Sequence, residues 1–198
     1  MTRNLCALVM AAGLGSRYRA SAGPTHNKLC APCIGRDGVE RPVLGHVLTN
    51  LQPHVQRTLV ITRASYKDVI AMATAVGCEP VIIESAGLGD SIAAGIVHAG
   101  NAGGWLLTLG DMPFILPSTF QQVADSLQPG RISVPMHEGR YGHPVGFAGD
   151  LTQELALLSG ERGARRLFRQ DRVFEIPVND PGALWDVDVP ESLRFTSG

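Results

Sequence analysis

Apolar residues in this chain fall into short unbroken runs, separated by longer stretches in which they recur every three to four positions. The runs at 5–10, 58–62, 80–83, 105–109 and 132–135 have the length and continuity of strands buried on both faces. The stretches at 43–51, 65–76, 90–99 and 118–127 carry helical spacing. Ser65 with Asp68, and Ser118 with Gln121, place an oxygen acceptor three residues ahead of a polar partner, the pattern of a capped helix start. Strands alternating with helices of about ten residues predict βαβ units, hence an α/β fold of three layers with a mainly parallel sheet and helices on both faces. Two stretches break the alternation. Residues 19–27, rich in Ser, Gly, Pro and Thr, read as a mobile loop, and residues 35–42 as an exposed turn or hairpin. Beyond Gly130 the pattern loosens, with a turn at 138–142 and helices near 151–158 and 163–170.

Composition narrows the class. With 44% apolar and 18% charged residues over 198 positions, the chain can bury a large core, and disorder is excluded. A net charge of −1 gives no general attraction to nucleic acid or to an anionic membrane. No apolar stretch reaches the roughly 18–20 residues that span a bilayer. The run after Arg3 leads straight into a Gly-rich loop, so it reads as a first strand rather than a signal peptide. The expectation is one cytoplasmic domain over 1–198. Cys30 and Cys33 form a lone C-x-x-C with His26 nearby, but a structural zinc site needs a further ligand pair, so both read as small apolar residues.

Candidate chemistry sits at strand ends. Ala11-Ala12-Gly13-Leu14-Gly15-Ser16-Arg17 follows the first strand directly. Ligands gather at the carboxyl ends of strands in such sheets, and glycines let backbone N–H groups approach phosphate oxygens. The loop is not a P-loop, since no Gly-Lys-Ser/Thr closes it. It is not a dinucleotide fingerprint either, because Tyr18 stands at the third glycine. At the end of the fourth strand, Gly110-Asp111-Met112-Pro113 offers a carboxylate suited to magnesium, or simply a turn Asp. Asp186-Val187-Asp188-Val189-Pro190-Glu191 offers further carboxylates, or a helix start capped by Asp188. Only two of the seventeen Lys and Arg residues are lysines, so Lys28 stands out. Arg162, Arg165, Arg166 and Arg169 share one face if 163–170 is helical.

Six segments occur in one order: 11–17, Lys28-Leu29 before Pro32, Gly89-Asp90-Ser91, Gly110–Pro113, Gly142-His143-Pro144-Val145 and 186–191. In that order the chain resembles the molybdenum cofactor nucleotidyltransferases over nearly its whole length, with the cytidylyltransferase branch nearest. The resemblance implies a Rossmann-like fold of the nucleotide-diphospho-sugar transferase type and a magnesium-dependent reaction. It implies that backbone amides of Gly13, Leu14 and Gly15 hold the triphosphate, that Arg17 neutralises its outer phosphates, and that Lys28 lies against the α-phosphate. Asp111 binds the metal with Asp188 as second carboxylate, while Ala11, Ala12, Gly87, Asp90 and Ser91 border the nucleotide. His143 and Arg165 are candidates for contact with the acceptor. The guanylyltransferase relatives carry Gly-Gly and paired arginines in the first loop, so Ala12 and the single Arg17 point to CTP.

The reaction this implies moves CMP from CTP to the terminal phosphate of molybdopterin and releases pyrophosphate, with a molybdenum hydroxylase as a possible recipient of the product. The link from Tyr18 to Asn27 is longer than the family's, and the turn at 35–41 is expanded. The alternatives are GTP as donor, a sugar or polyol phosphate as acceptor, an NAD(P)H oxidoreductase of the nicotine-blue type, and a non-catalytic carrier of the cofactor.

Overall fold

The structure, a computed structural model, describes residues 4–84 and 87–196. Its first strand, β1 (Leu5–Met10), is buried throughout. On one side it pairs in parallel with β4 (Arg57–Thr62), which pairs in parallel with β5 (Glu79–Ile82). On the other side it pairs in parallel with β6 (Gly104–Leu109). Beyond β6 come β9 (Val145–Ala148), β7 (Ile132–His137) and β10 (Val173–Pro177), giving the order β10-β7-β9-β6-β1-β4-β5, with the short β8 (Arg140–Tyr141) hairpinned onto β7. Strand β9 runs antiparallel to both its neighbours, while β10 and β7 are parallel. The expected mainly parallel α/β sheet is present.

Helices cover both faces because each presents one apolar stripe. On one face, α2 (Val43–Leu51), α3 (Lys67–Ala75) and α5 (Pro117–Asp125) bury Leu44, Val47, Leu48, Val69, Phe120 and Val123 against the sheet. On the other, α4 (Leu88–Ala99) and α6 (Thr152–Ala156) bury Ile92, Ile96 and Leu155 against Leu8, Ile61, Trp105 and Phe147. Among the described residues, no helix is long and apolar enough to cross a membrane.

Several local expectations change. Residues 16–22 form helix α1 (Ser16–Ala22), so the expected loop begins only at Gly23. Tyr18 explains why: it is buried in a satellite core with Cys33, Val43, Phe114 and Val187, and tertiary contact overrides the Ser/Gly-rich composition. Neither Ser65 nor Ser118 caps a helix. α3 starts two residues beyond Ser65 with Tyr66 at the cap position, and α5 starts at Pro117. The 3-10 segment Gly163–Leu167 replaces the helix expected over 163–170, so the four arginines do not share a face. Positive φ at Gly160 and Gly163 interrupts the helical path there. The expected exposed hairpin is β2 (Pro32–Ile34) with β3 (Glu40–Pro42).

Candidate active site

Four loops converge at the carboxyl ends of β1 and β6. Gly110 N–H donates to the Met10 carbonyl, joining the two strand ends. Residues 11–15 then leave β1 with their carbonyls held from behind. The Thr62 hydroxyl donates to the Ala11 carbonyl at 3.3 Å, Arg63 Nε to that of Ala12 at 2.6 Å, and the Tyr66 hydroxyl to that of Gly13 at 3.0 Å. Gly15 closes the loop at φ 60°, a left-handed conformation that a side chain would strain. A Cβ built there would lie 3.8 Å from the Lys28 side chain, so loop and lysine are neighbours. Lys28 is itself set by a tight turn, in which Asn27 Oδ1 accepts the Leu29 N–H at 3.1 Å.

Lys28 Nζ stands between two carboxylates, 2.6 Å from Asp111 Oδ2 and 2.9 Å from Asp188 Oδ1. Arg17 reaches the other oxygen of Asp188 at 2.6 Å. Lys28 and Asp111 are 12% and 18% exposed, whereas Arg17 is 79% exposed, so the lysine is enclosed and the arginine faces solvent. Burial alone would lower the Lys28 pKa, but Asp111 and Asp188 outweigh it and hold the ammonium above its usual range. The Lys28 hydrogen bond, with help from Arg17, holds the Asp188 carboxyl below its usual range against partial burial.

Asp188 arrives on a strap rather than as a helix cap; Val189 precedes the turn Pro190–Leu193. Along the strap, Val187 N–H donates to the Asp111 carbonyl and His143 N–H to the Ala183 carbonyl, both at 2.9 Å. Beneath it, Phe114, Trp185 and Phe195 pack ring against ring with centroids 5.0–6.3 Å apart. Asp180, buried at the start of the strap, accepts from Arg36, Thr119 and the N–H groups of Leu116 and Gly182.

Asp111 Oδ1 is buried with no hydrogen-bond partner among the described residues. A carboxylate oxygen left this way, beside a second carboxylate, fits a hard divalent cation. Among the described residues, no group of three or more His, Cys, Asp and Glu could hold a metal. Asp111 and Asp188 would therefore need substrate oxygens to complete a shell, the usual arrangement for magnesium on a triphosphate.

Next to this centre lies a cavity of about 770 Å³. Leu107, Leu109, Val145 and Phe168 give it apolar walls, and His143, Arg162 and Arg165 line it as well. Burial lowers the His143 pKa below its ordinary 6.5, opposed by the Leu107 carbonyl and Asp111 and assisted by Arg165, so the ring is neutral near pH 7. Leu88 adds to the wall from the first turn of α4. There Ser91 donates to the Gly87 carbonyl at 2.9 Å, and Asp90 accepts the Gly160 N–H at 3.0 Å. Arg166 instead binds the Leu157 carbonyl, and Arg169 pairs with Asp171, so the arginine group divides between pocket and scaffold.

The structure thus links Arg17, Asp188, Lys28 and Asp111 in one chain of ion pairs and sets Gly15 against Lys28. Gly87, Asp90 and Ser91 stand at the start of α4, beside the cavity. Cys33 packs in the satellite core with its thiol pushed up to about 11 by burial, and Cys30 packs against the main core. Thr62, Arg63 and Tyr66 were not among the candidates. Their signal was position, since Thr62 and Arg63 end a strand at the ligand edge. Asp180 lies in an Asn-Asp-Pro-Gly turn, which marked a turn but not its buried partners.

The profile of the MobA-like NTP transferase domain matches residues 7–174. The chain is 29% identical to nicotine blue oxidoreductase of Paenarthrobacter nicotinovorans, over 94% of this chain and 93% of that protein. In fold it resembles a nucleotidyl transferase from Methanothermobacter thermautotroptrophicus (TM-score 0.78, 21% identity, 97% and 94% of the two chains). It also resembles Rv0371c of Mycobacterium tuberculosis in complex with manganese (TM-score 0.69, 26% identity, 88% of each chain). By the match over residues 7–174 this chain belongs to the MobA-like NTP transferase family.

Proposed function

We infer that the protein transfers CMP from CTP to the terminal phosphate of a molybdopterin acceptor, releasing pyrophosphate. The observation that carries this reading is the pair of carboxylates sharing Lys28, Asp111 after β6 and Asp188 on the strap, with Asp111 Oδ1 buried and unpartnered among the described residues. Amides of residues 12–15 would hold the phosphates, and Arg17, exposed and paired with Asp188, would close on the outer ones. Lys28, held charged, would meet the charge that builds on the α-phosphate. Asp111 and Asp188 would hold magnesium, which supplies charge neutralisation across the triphosphate oxygens. The acceptor phosphate oxygen bonds to the α-phosphorus as the bond from that phosphorus to the bridging oxygen breaks, and the electron pair leaves with pyrophosphate. An anionic phosphate is already a nucleophile, so no general base is needed, and His143, neutral at pH 7, serves to line the acceptor pocket. The apolar walls suit a ring system such as a pterin, with Arg165 near its anionic end.

Ala12 favours cytosine by narrowing the space beside the base. Incubating the protein with Mg²⁺, molybdenum-loaded molybdopterin and each of the four triphosphates tests this. A CMP adduct from CTP is the expected product, and an equal or greater yield from GTP would overturn the base assignment.

The likeness to nicotine blue oxidoreductase, together with the apolar cavity, favours one second reading: reduction of a flat heteroaromatic compound by NAD(P)H. Against it, Tyr18 replaces the last glycine of a dinucleotide loop. NAD(P)H consumption with no adduct from any triphosphate would select it.

A further inference from the structure

The segment from Thr62 to Tyr66, between β4 and α3, fastens three successive carbonyls of the loop after β1. In a trans peptide the C=O and the N–H of the same unit point in opposite directions. Fixing the carbonyls of Ala11, Ala12 and Gly13 toward β4 therefore fixes the N–H groups of Ala12, Gly13 and Leu14 away from it. The loop itself is open to solvent: Gly13 and Leu14 are exposed, and a Cβ built on Gly13 meets nothing within 4 Å.

The polarity at Tyr66 is unambiguous. Arg19 Nη2 approaches the Tyr66 hydroxyl at 3.3 Å, with its guanidinium 5.8 Å from the ring centroid. A guanidinium only donates, so the phenol oxygen accepts from Arg19 and its single proton goes to Gly13. Arg63 likewise can only donate, and it offers Nε to Ala12. A glycine-rich loop has little conformational preference of its own, so its peptide planes take the orientation that outside donors impose.

We propose that Arg63 and Tyr66 are positioning residues that hold the peptide planes of residues 11–14 with their amides turned toward the triphosphate, so that phosphate affinity depends on side chains that touch no phosphate. The inference rests on the nucleotidyl-transfer reading and refines its donor set to the amides of Ala12, Gly13 and Leu14. Arg19 belongs to the same device one step further out.

Tyr66→Phe keeps the buried ring and removes only the hydroxyl, and Arg63→Gln removes the guanidinium at a half-buried position. Binding of CTP with Mg²⁺ and of inorganic tripolyphosphate is measured by calorimetry for wild type and both variants, with KM and kcat followed in parallel. Each variant should lose roughly three- to tenfold in affinity, the scale of one oriented hydrogen bond. The loss should be equal for CTP and tripolyphosphate, with KM rising more than kcat falls and the unfolding temperature close to wild type. Wild-type affinity in both variants overturns the inference alone. So does a loss confined to CTP, which would place the effect at the base, or a fall in kcat with KM unchanged. If Tyr66→Phe does not fold, Arg63→Gln decides by the same criteria. If wild type binds neither CTP nor tripolyphosphate, the transfer reading falls and the inference with it.

Discussion

At the scale of single residues, Asp111 and Lys28 are bound to each other at 2.6 Å yet should fail differently when removed. Asp111→Asn keeps the shape and removes the charge proposed to bind the metal, so turnover should nearly vanish while the fold persists, a loss of several kcal/mol in transition-state stabilisation. Steady-state rates in Mg²⁺ check this, and activity within about threefold of wild type, under 1 kcal/mol, would remove Asp111 from the centre. Lys28→Ala should lower kcat far more than it raises KM for CTP, because in the proposed reaction the charge it meets appears only in the transition state. Ala12 makes the most exposed claim. One methyl beside a base is worth about 1–3 kcal/mol, so kcat/KM for CTP should exceed that for GTP by at least about tenfold. Ala12→Gly should narrow the gap chiefly by improving GTP, and an unchanged ratio would clear Ala12 of any part in base choice.

Among the elements, the strap over 180–191 carries the most consequence, because it delivers Asp188 to Lys28 from the far end of the chain. Its anchor is Asp180, whose buried carboxylate accepts four hydrogen bonds, one from Arg36 at 2.5 Å. Asp180→Ala would strand the Arg36 charge and three other donors at a cost of about 3 kcal/mol or more. Thermal unfolding should fall by roughly 6–12 °C, at 2–4 °C per kcal/mol for a chain this size. A shift under about 2 °C would show that the strap is held elsewhere. The strap also marks where sequence reading stops. Asp188 was legible as a carboxylate with two rival meanings, and the fold, by laying Val187 on Asp111, sets it beside Lys28 rather than at a helix start. Five strands were legible because continuous apolar runs have few other uses, but β5, at the sheet edge, is only partly buried rather than covered on both faces. β9 and β10 were not legible: the apolar part of β9, Val145–Ala148, follows a motif read for its chemistry, and β10 ends in Pro177 after the alternating Phe174, Glu175 and Ile176. Helix α1 was missed because Tyr18, its buried anchor, makes its contacts with residues remote in sequence.

Across the whole molecule, the site's charge network resists pH change while the pocket beside it does not. Asp188, with its pKa lowered, contributes stability above its ordinary 3.8, and this is lost only as pH falls through the lower folded value. Lys28, with its pKa raised, contributes stability below its ordinary 10.5, and this is lost as pH rises through the higher folded value. His143 has the opposite sign. Its folded pKa lies below 6.5, so the unfolded chain takes up the proton first and stability falls as pH drops below 6.5. Urea unfolding of wild type and His143→Gln at about pH 7.5 and pH 5.5 should show the difference between them shifting in the variant's favour at the lower pH. A pH-independent difference would mean that His143 is not held neutral. The central claim concerns the reaction, and one measurement meets it directly: CTP labelled at the α-phosphate, incubated with Mg²⁺ and molybdenum-loaded molybdopterin. Label should enter the acceptor in step with pyrophosphate release, one for one, and Asp111→Asn should block both. Label that stays in CTP, while the same protein oxidises NAD(P)H, would contradict the claim.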